Sequence, residues 1–295
     1  MKCGIRIVVL LVSSIAFAQH EDLAGVTIPV IVKDSNGRAL TDVAPNSLLF
    51  EDRKMPVPKV RLSRSADRPT QLGILIDVSN SERDTRFKPI LAATRDFVIR
   101  TISGPEDRVL VSRFDTVAEF GPWLKKEQVS DLSLGLRAGG GSAVYDAVAA
   151  VCQLAFGARN WDKPTRRLMI LISDGEDNMS HIKWEEAASE ALKAGVVLFA
   201  LSTNDSSRNV RGDKVLAALA QNTGGEFVSG INGRNAQQIF ARMTEQLNGM
   251  YFASYYPPDP RARIHDINVR PLPSTHWQLS YPHGYVWEMP HPSAP

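Results

Sequence analysis

Residues Leu168-Met169-Ile170-Leu171-Ile172 are five large apolar side chains in succession, with no polar position between them. A strand with one face in water alternates apolar and polar residues, so an unbroken run of this kind needs cover on both faces. Further apolar runs stand at 72–77, 108–114, 196–202 and 225–228, and with 168–173 they give five strands. Between them lie segments with helical spacing of apolar residues, at 87–102, 143–156, 184–194, 214–222 and 236–248. Gly104-Pro105, Gly195 and Gly224 stand where three of these helices should stop. Strand and helix in alternation predict βαβ units, hence an α/β fold with a doubly wound, mostly parallel sheet flanked by helices. Segment 117–124 reads as an antiparallel edge strand beside its predecessor.

On both sides of this region the texture is β and turn. Runs at 26–33, 48–52 and 57–62 are separated by turns such as Asp34-Ser35-Asn36-Gly37, and runs at 251–256, 264–270 and 276–281 follow Gly249. Neither terminal segment has enough chain to bury a core alone. The expectation is one small β domain made from both. The organisation that follows is an N-terminal β segment over 19–68, an α/β domain over 70–250 and a C-terminal β segment over 251–295 that pairs with 26–62.

Residues 1–18 read as a signal peptide. A short basic start with Lys2 and Arg6 precedes an apolar run over 7–18 and the exit Ala16-Phe17-Ala18. The run contains Ser13 and Ser14 and is shorter than the roughly 20 residues a spanning helix needs. The mature chain is therefore expected to be secreted or periplasmic, with no membrane insertion after cleavage. Loss of Lys2 and Arg6 takes the formal net charge from +2 to zero. With no basic stripe, nucleic acid is not an expected partner. Cleavage also removes Cys3, so Cys152 is left without a disulfide partner; it follows Val144 and Val148 at helical spacing and reads as a buried core residue.

In an open α/β sheet, ligands bind beyond the carboxyl ends of the strands. Three loops at that end carry oxygen. The first strand runs into Asp77-Val78-Ser79-Asn80-Ser81, with oxygen-bearing side chains at alternate positions. A later loop, Gly139-Gly140-Gly141-Ser142, opens into a helix, and the strand at 168–173 ends in Ser173-Asp174-Gly175. Asp77, Ser79, Ser81, Ser142 and Asp174 give five oxygens, two of them carboxylates, without His or Cys. That set suits a hard cation, Mg²⁺ first and Mn²⁺ or Ca²⁺ as alternatives, and disfavours zinc.

Asp77-x-Ser79-x-Ser81, the Gly-Gly-Ser loop and the later Asp-Gly together resemble the metal-ion-dependent adhesion site of von Willebrand factor A domains. The resemblance spans about residues 70–250. It extends to 107–114 and 143–148, which look like that family's second strand and third-loop helix; the chain as a whole looks like the bacterial exported proteins related to this domain. The resemblance implies a Rossmann-like fold and a non-enzymatic protein-binding module. It also implies that Asp77, Ser79 and Ser81 form the first coordination loop and that Ser142 takes the place of the family's usual Thr. Asp174 would bind directly or through water, and one metal position would be left to an acidic residue of a protein partner.

Two other classes compete. A haloacid-dehalogenase phosphatase needs a second Asp where Ser79 stands, and a serine hydrolase needs a Gly where Val144 follows Ser142. Val144 also breaks the dinucleotide pattern at its third glycine. A metal-dependent hydrolase is thus the weaker alternative, and a structural or assembly domain whose metal only stabilises the fold is the stronger one. His265, His276, His283 and His291 have no metal-ligand spacing and read as exposed or packed strand residues.

Overall fold

The computed structural model describes residues 25–79, 87–131, 139–157, 164–205 and 210–287. The expected signal peptide and Ser81 lie outside them. The chain begins with β1 (Val26–Lys33), β2 (Leu48–Asp52), β3 (Met55–Pro56) and β4 (Arg61–Arg64). The alternating region follows: β5 (Thr70–Asp77), α1 (Phe87–Thr101), β6 (Arg108–Phe114), β7 (Ala118–Leu124), α2 (Val144–Ala150), β8 (Arg166–Ser173) and α3 (Trp184–Lys193). It continues through β9 (Val196–Ser202), α4 (Arg211–Asn222), β10 (Phe227–Val228) and α5 (Ala236–Asn248). Last come β11 (Met250–Tyr255), β12 (Ile264–Pro271), β13 (Gln278–Ser280) and β14 (Gly284–Val286).

Six strands form one sheet in the order β10-β9-β8-β5-β6-β7, with β7 antiparallel at one edge and all other neighbours parallel. This is the doubly wound α/β sheet expected from the apolar runs. The period of two along β5 decides which side chain meets which helix layer. Leu72, Ile74, Ile76 and Val78 join Phe97 of α1 and Phe240 of α5, whose rings lie 5.0 Å apart. Leu75 faces the layer made by α2, α3 and α4. Position 73 faces the same way and leaves room for the Phe156 ring: a Cβ there would sit 3.1 Å from it, so the ring would have to give by a few tenths of an ångström. Asp77, next in this odd-numbered series, therefore emerges at the carboxyl end on the α2 side.

The two terminal β segments hydrogen-bond to each other. β1 lies between β11 and β13, β4 flanks β11, and β12 lies between β2 and β14. The resulting sheets face one another over Ile28, Val30, Val32, Phe50, Tyr251, Tyr255, Ile267 and Val269. β12 shows the half-buried pattern cleanly, with His265, Ile267 and Val269 inward and Ile264 outward. Ile31 and Met250 instead belong to the α1/α5 core, so the sandwich is packed onto the α/β layer where the chain leaves α5.

Several boundaries differ from expectation. The run at 57–62 becomes a strand only at Arg61–Arg64, since Pro56 and Pro58 offer no backbone donor. α4 begins at Arg211 and not at 214, taking in Gly212, whose presence the candidate site explains. The helix expected over 143–156 keeps its extent, but widens to i→i+5 turns over Val151–Phe156. Cys152 is buried within it, as expected. Among the described residues no helix is long and apolar enough to cross a membrane.

Candidate metal centre

Parallel register sets the first contact. Ile76 pairs with Ile172, so the next residues, Asp77 and Ser173, stand side by side on the same face. The Ser173 hydroxyl donates to Asp77 Oδ2 at 2.6 Å, and the Ser142 hydroxyl donates to the same oxygen at 3.1 Å. The backbone amide of Ser79 donates to Asp77 Oδ1 at 2.9 Å, and its hydroxyl also bonds the carboxylate. Asp77 is 0% exposed, and Ser79, Ser142 and Asp174 are buried beside it. Four of the five residues expected from sequence are thus brought to one end of the sheet; Ser81 lies outside the described residues.

The loops are stitched together by their backbones. Ser142 donates its amide to Asn178 Oδ1 at 2.9 Å, and its carbonyl accepts from the amides of Asn178 and Met179, both at 3.0 Å. Gly141 is required by this closeness, since a Cβ would lie 2.5 Å from Met179 Cγ. The first turn of α2 is capped from the same loop: Ser180 Oγ accepts from the amides of Tyr145 and Asp146, and donates to Asp177 Oδ2 at 2.6 Å. Asp146 in turn accepts from the backbone amides of His181 and Ile182. The Ser142 loop and the Asp174 loop therefore form one rigid rim.

Asp174 Oδ1 accepts the amide of Glu176 at 3.0 Å, and Gly175 bonds Ser173 Oγ through its amide at 2.8 Å. Gly175 has φ of 73°, in the left-handed region, and a Cβ there would meet the Gly212 carbonyl at 2.6 Å. A Cβ on Gly212 would sit 2.2 Å from the Asp174 carbonyl. Both glycines let the first turn of α4 press against the Asp174 loop.

The electrostatics are unbalanced. Burial pushes the Asp77 carboxyl above its ordinary range; hydrogen bonds from Ser173 and Ser79 pull it down, and the charge of Asp174 pushes it further up. Among the described residues no ion pair involves Asp77 or Asp174. Nor does any cluster of three or more His, Cys, Asp or Glu side chains form a metal-binding group there. The donor set is two carboxylates and several hydroxyls, which is the chemistry of a hard divalent cation with few protein charges around it. Buried negative charge without a cationic side chain is costly, and a metal ion removes that cost.

Sequence reasoning missed Ser173 as part of this group. Its position directly before Asp174 at the end of an apolar strand was the available signal, but only register places it against Asp77.

A family model described as von Willebrand factor type A domain matches residues 72–242, more than half of the chain. No curated protein matches in sequence. Among solved structures, proximal thread matrix protein 1 from the mussel byssus, in a form with a zinc-occupied MIDAS motif, is 16% identical. It aligns with a TM-score of 0.50 over 66% of this chain and 50% of its own. A von Willebrand factor type A protein from Catenulispora acidiphila is 12% identical with a TM-score of 0.49, over 88% of this chain and 76% of that one. An aerotolerance-related membrane protein from Bacteroides fragilis is 17% identical with a TM-score of 0.44, over 61% and 98%.

Proposed function

Because the chain belongs to the von Willebrand factor type A domain family, we propose that it is a protein-interaction module whose partner binds at a divalent cation. Domains of this family are generally interaction modules and not enzymes. The observation that carries the reading is the buried Asp77 carboxylate, which Asp174 adjoins and which, among the described residues, hydroxyls and an amide satisfy without a cation. Asp77, Ser79, Ser142 and Asp174 would hold the ion, with Ser81 completing the set by sequence pattern. Mg²⁺ fits this oxygen set best, with Mn²⁺ and Ca²⁺ as alternatives. Bound there, the cation supplies positive charge that a carboxylate of a partner protein can complete. The rim at Ser142 and Asn178, fixed by reciprocal hydrogen bonds, one to the Asn178 side chain and one between backbones, would present that ion without rearrangement.

The basic start and the apolar run over 7–18 support export, to the periplasm or beyond the cell. Capture of exported proteins on the immobilised chain, in Mg²⁺ and in chelator, tests the function. The expected result is recovery of a partner in Mg²⁺ that is lost in chelator and lost with Asp77→Ala. Equal recovery under all three conditions would favour a domain whose metal serves only its own fold.

A further inference from the structure

Asp213 is a buried carboxylate that the metal reading leaves unused. It lies in the first turn of α4, and its Oδ1 accepts the Ser202 hydroxyl at 2.6 Å and the Asn204 amide nitrogen Nδ2 at 2.9 Å. The same Asn204 Nδ2 donates to the backbone carbonyl of Asp174 at 2.7 Å. An amide nitrogen has two hydrogens, and here both are committed, one to each acceptor. Asn204 is held in place by its own backbone, whose amide donates to Ser202 Oγ at 3.1 Å. The Asp174 carbonyl is thus gripped from one side by Asn204 and packed from the other by Gly212, where no Cβ would fit. Fixing that peptide fixes the direction in which the Asp174 side chain leaves the backbone.

We infer that Asp213 and Asn204 form a relay that positions Asp174 for the cation, so that α4, which contributes no ligand, sets the affinity of the centre. The inference rests on the metal reading above. Groups that orient metal ligands without touching the ion typically change affinity by about 10–100-fold when removed. Ser202 and Asn204 leave the carboxyl end of β9, one strand beyond β8, so the relay carries the geometry of a neighbouring strand and helix into the site.

The test is calorimetric titration of the full chain with Mg²⁺, with metal-free thermal denaturation of each variant alongside. Asp213→Ala and Asn204→Ala should each weaken Mg²⁺ binding by about tenfold. The double variant should lose little more than either single one, because the two side chains act in series. Asp213→Asn keeps an oxygen in the accepting position and should bind nearly as the parent does. Asn204 is only partly buried, so if Asp213→Ala does not fold, Asn204→Ala carries the test with α4 intact. Unchanged Mg²⁺ affinity in Asn204→Ala, while Asp77→Ala abolishes binding, overturns the relay and leaves the metal reading standing. Parent-like binding by Asp77→Ala overturns the metal reading itself. Weakened binding in Asp213→Ala with none in Asn204→Ala also overturns the relay.

Discussion

Asp52 and Asp77 are both fully buried, one in the β sandwich and one at the end of the parallel sheet, and they are answered by different partners. Asp52 Oδ1 meets His265 Nδ1 at 2.6 Å, while Oδ2 accepts the hydroxyls of Tyr285 at 2.5 Å and Tyr255 at 3.2 Å. His265 Nε2 lies 3.0 Å from the Ala262 carbonyl, which can only accept, so that nitrogen carries a proton. The His265 ring stacks on Tyr285 with centroids 4.6 Å apart. Burial pushes both phenols well up, so each keeps the proton it donates. This network ties β2, β11, β12 and β14 together, with both Asp52 oxygens bonded to side chains of the sandwich. Asp77 has hydroxyls and an amide but, among the described residues, no cationic partner, and a second carboxylate beside it. A buried network whose charge is answered internally holds a fold together; one short of positive charge is where the proposed cation would act.

Replacing one partner should separate the two regions most sharply. Asp52→Ala leaves His265 and both phenols without their acceptor in the sandwich core, and should cost about 3–5 kcal/mol of stability in urea denaturation. The loss should be the same in Mg²⁺ and in chelator; a loss that Mg²⁺ repairs would mean the two networks are not independent. Next in size, Asp77→Ala should remove the stabilisation that Mg²⁺ confers on the parent. That gain is about 2.7 kcal/mol when the ion is at a hundredfold excess over its Kd. In chelator the variant should stay close to the parent, because the acceptor lost to Ser79, Ser142 and Ser173 is offset by removal of a buried charge that has no cation beside it. Ser142→Ala should weaken Mg²⁺ binding by about 1–2 kcal/mol in calorimetry, whereas Ser142→Thr should retain it, since the added methyl restricts the rotamer without removing the oxygen. The smallest expected effect is at Cys152. Buried in the α2 layer, with its thiol pushed up by burial, it should resist thiol reagents in the native chain and react only on unfolding.

The sheet was legible because its central runs, above all 168–172, are almost wholly apolar and alternate with helical segments, and the three oxygen-bearing loops were legible because each directly follows a strand or precedes a helix. Register was not. Ser173 touches Asp77 only because β5 and β8 are aligned so that Ile76 faces Ile172, and no local pattern encodes that pairing. Asn204 and Asp213 were invisible for a similar reason: Asn204 donates to the Asp174 carbonyl, a backbone atom 30 residues away, and Asp213 reaches that carbonyl only through Asn204. His265 was expected to be an exposed or packed strand residue without a metal role. It is packed on Asp52, 213 positions earlier in the chain, which the scattered histidines gave no way to see. The start of α4 three residues before 214 takes in Gly212, a poor helix former whose reason for being there lies on another loop.

The most direct measurement is thermal denaturation of the full chain and of Asp77→Ala, each in excess Mg²⁺ and in chelator. A metal-completed Asp77 predicts a higher Tm in Mg²⁺ for the parent and no difference for the variant. Equal Tm for the parent under both conditions, or the same Mg²⁺ shift in Asp77→Ala, would contradict it.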